Sequence, residues 1–424
     1  MKNFLNHFKN PLLWPFYLFG PIAYGGGNGI IILLGFLCIC LFYSENSLKK
    51  KSLHQVWQFF WAPFRSLSLP LFILFCLWAY MAFTTFWSLQ PLYALGTALR
   101  LFFIFALTGT LIFHIQKLPH DLLKKCLWGF VASWTILIIL LILSLLLDII
   151  GNEISWINSV NFFKKPSQIT RPALFASLFF WPSSAFFIFQ TKRSFFQRQT
   201  PFFQEILFLG LGIGIVFITY FLNMIAASLG LFLGLSFYLF LKKYPSFFSI
   251  LLNAAVGLGF VFPFCTKYIL NSLPFISSHK PSWAHRLVIW DFVSDAIKQC
   301  PYLGWGLEAS RFLPSSTIEL FPSKETSPLS LNTLPLHPHN AFLQVWLEGG
   351  VIGAFLLACF LCFLISLLKK TYFDSKERAL IGGTFMTFLT PFYVSFGVWQ
   401  TWWLSTLCFI TILWILLKKS NTIK

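Results

Sequence analysis

Acidic residues are scarce in this chain: 13 Asp and Glu stand against 31 Lys and Arg in 424 residues, and charged side chains make up only 10% of the total. A surface so poor in charge excludes an ordinary soluble domain for most of the chain. The shortage also removes the carboxylate clusters that hold divalent cations. The early turns at Gly25 to Asn28 and Ser88 to Gln90 contain no Asp or Glu. The apolar spans lack the Asp, Glu or Lys pairs that ion-coupled transporters place at membrane depth, with Arg100 the clear exception and Asp148 and Glu348 near the margins. This favours surface chemistry over translocation by a transporter or flippase. No internal repeat is visible, and no small-residue cleavage site follows the first apolar stretch, so that stretch is expected to be a retained helix.

The nine cysteines mostly lie in or beside apolar spans, and only Cys300 sits well inside an outer loop, so a disulfide framework is not expected. What the chain has in abundance is apolar bulk, 57% of residues, with 55 Phe and 17 Trp. Stretches of about 17 to 25 apolar residues are long enough to cross a bilayer. Twelve are expected, at 11–23, 28–43, 68–87, 91–113, 127–149, 172–190, 205–221, 224–241, 247–265, 340–368, 379–396 and 402–417. If these helices alternate in direction, 21 of the 31 basic residues fall on one side. The positive-inside rule then places both termini in the cytoplasm and faces the long loop 266–338 outward. The net charge of +18 is a topology signal that meets anionic lipid and is no argument for nucleic acid. The organisation is therefore 1–265 with nine spans and a smaller outer loop at 151–171, then the large loop 266–338, then 339–424 with three spans.

The smaller loop carries Lys164, Lys165 and Arg171 just before a helix that opens at Pro172, a good first-turn residue. Outer-side basic residues run against the topology rule and suggest an anionic ligand. A solvated loop is the plainer alternative. In the larger loop, 284–299 places Val288, Ile289, Phe292, Val293, Ala296 and Ile297 on one stripe, with Asp291, Asp295 and Lys298 opposite. That pattern predicts a helix lying flat on the membrane, with the two aspartates on its solvated face. A turn follows, Pro301-x2-Gly304-x-Gly306, and then 314–338, rich in Ser, Thr and Pro and expected to be flexible.

The sharpest motif is His337-Pro-His-Asn340, entering an apolar helix with Gly350 and Gly353. If that helix is continuous at 100° per residue, Gly350 lies about 20° and Gly353 about 40° from the direction of His339. One face would then carry an imidazole at its tip and small residues below it. The alternative is a capping Asn340 beside a solvated histidine. His337 and His339, with His279 and His285 upstream, could supply zinc ligands, but Pro338 fixes the backbone between the pair and no outer carboxylate cluster stands near.

The spacing His-Asn-x9-Gly-x2-Gly from His339 resembles the signature of the O-antigen ligase family, bacterial inner-membrane enzymes that move glycan from a polyprenyl pyrophosphate to lipid A-core. Arg286-x3-Trp290 followed by Pro301-x2-Gly304-x-Gly306, and the Trp87-Ser88 turn, resemble the same family. The resemblance implies an all-α polytopic membrane protein with about 12 transmembrane helices, GT-C-like, in the bacterial inner membrane with a periplasmic active site. It implies a lipid-linked glycan donor, a lipid A-core acceptor, and no nucleotide, metal or other cofactor. His339 would be the general base and Arg286 the first phosphate contact. Asn340 would orient the loop or the sugar, and His337, Arg171, Arg100 and Arg311 complete the expected substrate-binding set. These ligases commonly carry Ser-Arg-Gly in a helix after a very short outer turn. The match here is Ser228-Leu229-Gly230, without the arginine, so Arg171 or Arg100 is the candidate replacement. A polymerase or protein O-glycosyltransferase of the same superfamily would differ only in its acceptor.

Overall fold

The computed structural model describes residues 10–44, 59, 68–153, 170–190, 201–272, 281–314, 317–320, 329–372 and 374–421. Expectations for Lys164, Lys165 and His279 lie outside them. A short 3-10 turn at Pro11–Leu13 leads into α1 (Trp14–Gly25), followed by α2 (Gly29–Ser44), α3 (Leu69–Phe83), α4 (Pro91–Ile115) and α5 (His120–Glu153). Next come α6 (Thr170–Gln190), α7 (Pro201–Phe221), α8 (Ile225–Lys243), α9 (Phe248–Ser272) and α10 (Pro281–Gln299). Strands β1 (Thr317–Leu320) and β2 (Leu329–Asn332) precede α11 (Ala341–Thr371), α12 (Ser375–Val394) and α13 (Thr401–Asn421).

Each expected apolar span coincides with a helix. Among the described residues nine helices are long and apolar enough to cross a membrane. Of the other three, α1 and α2 are shorter, and α12 opens on the charged run Ser375-Lys-Glu-Arg378. The protein is thus a helical polytopic membrane protein, with one small hairpin among the described residues.

Apolar side chains gain little by leaving lipid for each other, so helices in a bilayer associate through close approach and shape. Where α8 crosses α12, a Cβ on Gly234 would lie 2.7 Å from the Gly383 carbonyl and 2.8 Å from the Trp181 ring. Trp181 is fully buried, and its indole donates to Thr387 Oγ1 at 2.8 Å. The Ser228-Leu229-Gly230 segment serves this same packing: a Cβ on Gly230 would meet the Thr387 carbonyl at 2.8 Å, and Ser228 bonds Thr219 across the turn. A second seam is aromatic. Phe19 lies 4.5 Å from Phe179 and 5.1 Å from Phe130, and stacks on Phe409 at 5.3 Å, joining α1, α5, α6 and α13.

One end of the bundle collects basic helix termini. Lys242 pairs with Glu205 at 2.8 Å, Lys418 with Glu377 at 2.9 Å, and His120 reaches the Ser420 carbonyl at 2.6 Å. At the opposite end the start of α4 meets the loop residues Glu308, Arg311 and Phe312, and Glu308 in turn meets Glu348 of α11.

Two expectations about the long loop are corrected here. The apolar stripe of α10 faces the protein, not the bilayer surface. Ile289, Trp290, Val293, Ala296 and Ile297 pack with Leu334, Leu343 and Leu347, with Phe262 and Trp346 against them. A helix can bury its stripe against neighbours as readily as against lipid, and sequence periodicity does not distinguish the two. The segment 314–338 is not irregular throughout: β1 and β2 pair antiparallel, Thr317 opposite Asn332 and Leu320 opposite Leu329.

Candidate active site at the broken helix

The helix that follows the His-Asn pair is not continuous. Gly350 has φ +58° and ψ −158°, a conformation open essentially to glycine alone, and it interrupts α11. The Pro301 to Gly306 turn docks in this break and takes up the backbone groups the helix gives away. Val351 N–H turns from its helical acceptor to the Pro301 carbonyl at 2.8 Å. Trp305 N–H donates to the Leu347 carbonyl and Gly306 N–H to the Glu348 carbonyl, both at 2.9 Å. Buried backbone groups left unpaired would each cost on the order of 1 to 3 kcal/mol, so the turn and the break form one unit. Gly304, at φ +71°, has no room for a side chain: a Cβ would stand 2.5 Å from the Glu348 carbonyl.

The Trp87-Ser88 turn locks this unit to α3. Trp87 Nε1 donates to the Gly304 carbonyl at 3.2 Å, Ser88 Oγ to Leu307 at 2.7 Å, and Tyr80 Oη to Gly349 at 2.9 Å. The expectation that His339, Gly350 and Gly353 share one helical face is therefore corrected. His339 precedes the helix with φ +55°, and Gly350 is the break, so neither continues the helical phase that the 100° rule assumes.

Asn340 is the N-cap of α11. Its Oδ1 accepts from Leu343 N–H at 3.0 Å, and the side chain is fully buried. Such caps contribute about 1 kcal/mol. Its Nδ2 is a buried donor without a protein acceptor. The capping alternative is thus real, and it coexists with a histidine that is not simply solvated.

His339 is fixed through Nδ1, which lies 2.7 Å from the Ser395 carbonyl in the turn between α12 and α13. A carbonyl only accepts, so Nδ1 carries the proton of the neutral ring and Nε2 keeps the lone pair. Burial pushes the imidazole below its ordinary pKa; the Ser395 contact opposes this, and the charges of Arg286 and His285 add to it. The neutral, proton-accepting form is therefore the one present near pH 7.

His337 stacks edge-on at 4.4 Å and accepts the His339 N–H at Nδ1, 3.2 Å away, while Gln400 holds its other nitrogen at 3.0 Å. Burial, then the neighbouring His339 and Arg311, push His337 down to about 3. Arg286 sits half-buried on α10, its pKa lowered by desolvation. Trp290, one turn further along the same helix face, donates to the Pro338 carbonyl at 3.0 Å. That bond ties the helix bearing Arg286 to the loop bearing His339, which explains the Arg286-x3-Trp290 spacing.

The remaining arginines are placed as follows. Arg100 donates to Thr97 Oγ1 at 2.5 Å, Thr97 donates to Glu308 Oε1 at 2.9 Å, and Arg311 pairs with Glu308 Oε2 at 3.3 Å while lying over the Tyr93 ring at 5.3 Å. Arg100 and Arg311 thus belong to one chain of contacts beside the docked turn. Arg171 stands apart from it, over Trp402 at 4.9 Å and against Gly27. Asp295 pairs with Lys298 at 2.8 Å and Lys267 at 3.1 Å, and Lys298 first and Lys267 next hold it below the usual carboxylate range. Among the described residues no group of three or more His, Cys, Asp and Glu could hold a metal ion, and all nine cysteines are free.

Residues 206–358, from α7 through the first half of α11, match the family described as O-antigen ligase. The chain carries a segment similar to the O-antigen ligase family. It includes Arg286, His337, His339, Asn340 and the broken helix, so the expected family resemblance holds where the site is. A protein of Rickettsia typhi named as a candidate polysaccharide ligase is 35% identical over 181 residues, 42% of this chain and 43% of its own length. A protein of Rickettsia felis named in the same way is 33% identical over 211 residues, 47% of this chain and 50% of its own. A third, from Rickettsia conorii, is 32% identical over 42% of this chain and 43% of its own. The chain thus spans about half the length of the curated relatives it matches. No solved structure matches it.

Sequence reasoning did not find the turn at 395–400, which contributes Ser395, Val398, Trp399 and Gln400 to the site. It carries no charge and lies some 55 residues beyond the motif it orients. Glu348, a buried acid at the membrane margin, was the one signal pointing there.

Proposed function

We propose that the protein is an O-antigen ligase, transferring glycan from a polyprenyl pyrophosphate to a hydroxyl of lipid A-core at the outer face of the bacterial inner membrane. The observation that carries this reading is His339: it is held through Nδ1 by a backbone carbonyl, it presents a basic Nε2, and Arg286 lies near enough to act on its charge. The acceptor oxygen attacks the anomeric carbon, the bond to the phosphate oxygen breaks, and the hydroxyl proton passes to Nε2 of His339. The pyrophosphate is already a good leaving group. What the protein supplies is a stronger nucleophile and support for the charge on departure. General-base assistance accounts for about 10² to 10⁴ in rate. The Arg286 guanidinium offers the departing phosphate two parallel donors and keeps its charge throughout.

Asn340, buried as the cap of α11, orients the loop that carries His339. Arg311 and Arg100 supply further positive charge near the docked turn, with Arg171 the farther candidate for the role of the arginine absent at Leu229. The chemistry needs no nucleotide and no metal. Basic termini gathered at the opposite end support cytoplasmic termini and a periplasmic site.

Deleting the gene tests the reading. A ligase loss leaves lipopolysaccharide without long glycan while polyprenyl-linked polymer accumulates. Single repeat units still attached to core would instead identify a polymerase.

A further inference from the structure

We propose that Glu348 is a positioning residue for His339, acting through the turn at 395–400, which it fixes as a buried carboxylate accepting four hydrogen bonds. This rests on the reading of His339 as the transfer base. Glu348 is fully buried. Oε1 accepts from Ser310 Oγ at 2.6 Å and from Gln344 Nε2 at 3.0 Å, and Oε2 accepts from Glu308 N–H at 2.8 Å and Trp399 Nε1 at 2.6 Å. Indole, amide and backbone N–H groups can only donate. Three of the four partners therefore require Glu348 to accept, and the Ser310 hydroxyl completes the set.

The four donors divide into two sets. Ser310 and Glu308 belong to the docked loop. Trp399 belongs to the turn directly, and Gln344 belongs to it indirectly, since its Oε1 accepts the Val398 N–H at 2.9 Å. The same six-residue turn supplies the Ser395 carbonyl to His339 Nδ1 and the Gln400 amide to His337. Gly397 between them is pressed against His337 and Gln344; a Cβ there would stand 3.1 Å from each. Glu348 therefore fixes the height and tilt of a backbone segment whose carbonyl selects the His339 tautomer. The charged and titratable groups around this unit are Arg286 and His285 on α10, His337 in the same loop, Arg311 towards His337, and Glu308 beside Glu348. Loosening the Ser395 contact makes the His339 cation harder to form and so lowers its titration midpoint.

The test compares three variants of the full-length protein: Trp399→Phe, which deletes one donor on the turn side; Ser310→Ala, which deletes one on the loop side; and Glu348→Gln. The first readout is the pH dependence of carbethoxylation at His339 by diethyl pyrocarbonate, mapped by mass spectrometry, which needs no transfer activity. The midpoint is expected to fall by about half a pH unit or more in Trp399→Phe and Glu348→Gln and to stay in place in Ser310→Ala. The second readout is transfer: Trp399→Phe is expected to lose roughly 10- to 100-fold in kcat with KM for the donor little changed, as for a base displaced by less than about 1 Å. If Glu348→Gln does not fold, the pair Trp399→Phe and Ser310→Ala still decides. No movement of the midpoint, a rise, or equal movement in Ser310→Ala overturns the proposal. A wild type that transfers nothing overturns the ligase reading and leaves the His339 titration to decide the positioning role.

Discussion

Replacing Gly350 by Ala tests whether the broken helix is what builds the site. In the observed conformation the new Cβ would lie 2.3 Å from the Tyr302 carbonyl oxygen and 2.7 Å from Gly304 N. The backbone strain of a non-glycine residue there is about 1 to 3 kcal/mol, and forcing a methyl into a packed site adds about 1 to 3 kcal/mol. The chain has one escape, which is to straighten. A continuous helix would restore the bond from Val351 N–H to Leu347, worth about 1 kcal/mol. It would also strand the Pro301 carbonyl and the Trp305 and Gly306 N–H groups that now fill the gap. Either way the docked turn is lost or strained, at a net cost of roughly 2 to 5 kcal/mol by the same terms. Gly353→Ala is the control: its Cβ would meet Met81 and Tyr80 at 3.6 Å, ordinary contact, and alanine favours the helix by up to about 1 kcal/mol. Thermal unfolding in detergent, followed by tryptophan fluorescence, should show a large fall for Gly350→Ala and little change for Gly353→Ala, with transfer activity following the same order. If the two variants behave alike, the break does not organise the site.

Arg286→Lys keeps the charge and loses the fork, so transfer should fall by tenfold or more while the protein still inserts and accumulates; near-normal transfer would remove Arg286 from the phosphate. Asn340→Ala should lower stability by about 1 kcal/mol through the lost cap, whereas Asn340→Asp, which still accepts from Leu343, should recover most of it in the same melting assay. His337 is held near 3 in the fold and returns to about 6.5 unfolded, so the unfolded chain binds the extra proton between those values. Stability is therefore present above pH 6.5 and lost as pH falls toward 3, on the order of a few kcal/mol, and His337→Gln should flatten that part of a melting-temperature profile.

The helical bundle was legible because lipid imposes a length and polarity rule on every span, and the expected spans from 68–87 to 402–417 each meet a helix. The motif residues were legible too, since His339, Arg286, Trp290 and the two turn glycines are named by spacing. What spacing did not carry was phase. Gly350 read as a small residue on a regular helix, although its value lies in a backbone conformation that only the docked turn requires. The apolar stripe of α10 read as a membrane face because periodicity gives a buried side and says nothing of what covers it. Arg100 and Arg311 were separate expectations and proved to meet through Thr97 and Glu308, a contact between residues some 200 apart that no local pattern announces. The 395–400 turn was invisible for the same reason, since its contribution is mostly backbone.

The most direct test of the central claim is single-turnover transfer by His339→Ala, in protein reconstituted with a polyprenyl-pyrophosphate glycan and lipid A-core. The account predicts a loss of about 10² to 10⁴ in rate, or roughly 2.7 to 5.4 kcal/mol, with donor affinity little changed and wild-type activity unaffected by chelators. Transfer by His339→Ala at close to the wild-type rate would contradict it and leave the His-Asn pair as a helix start alone.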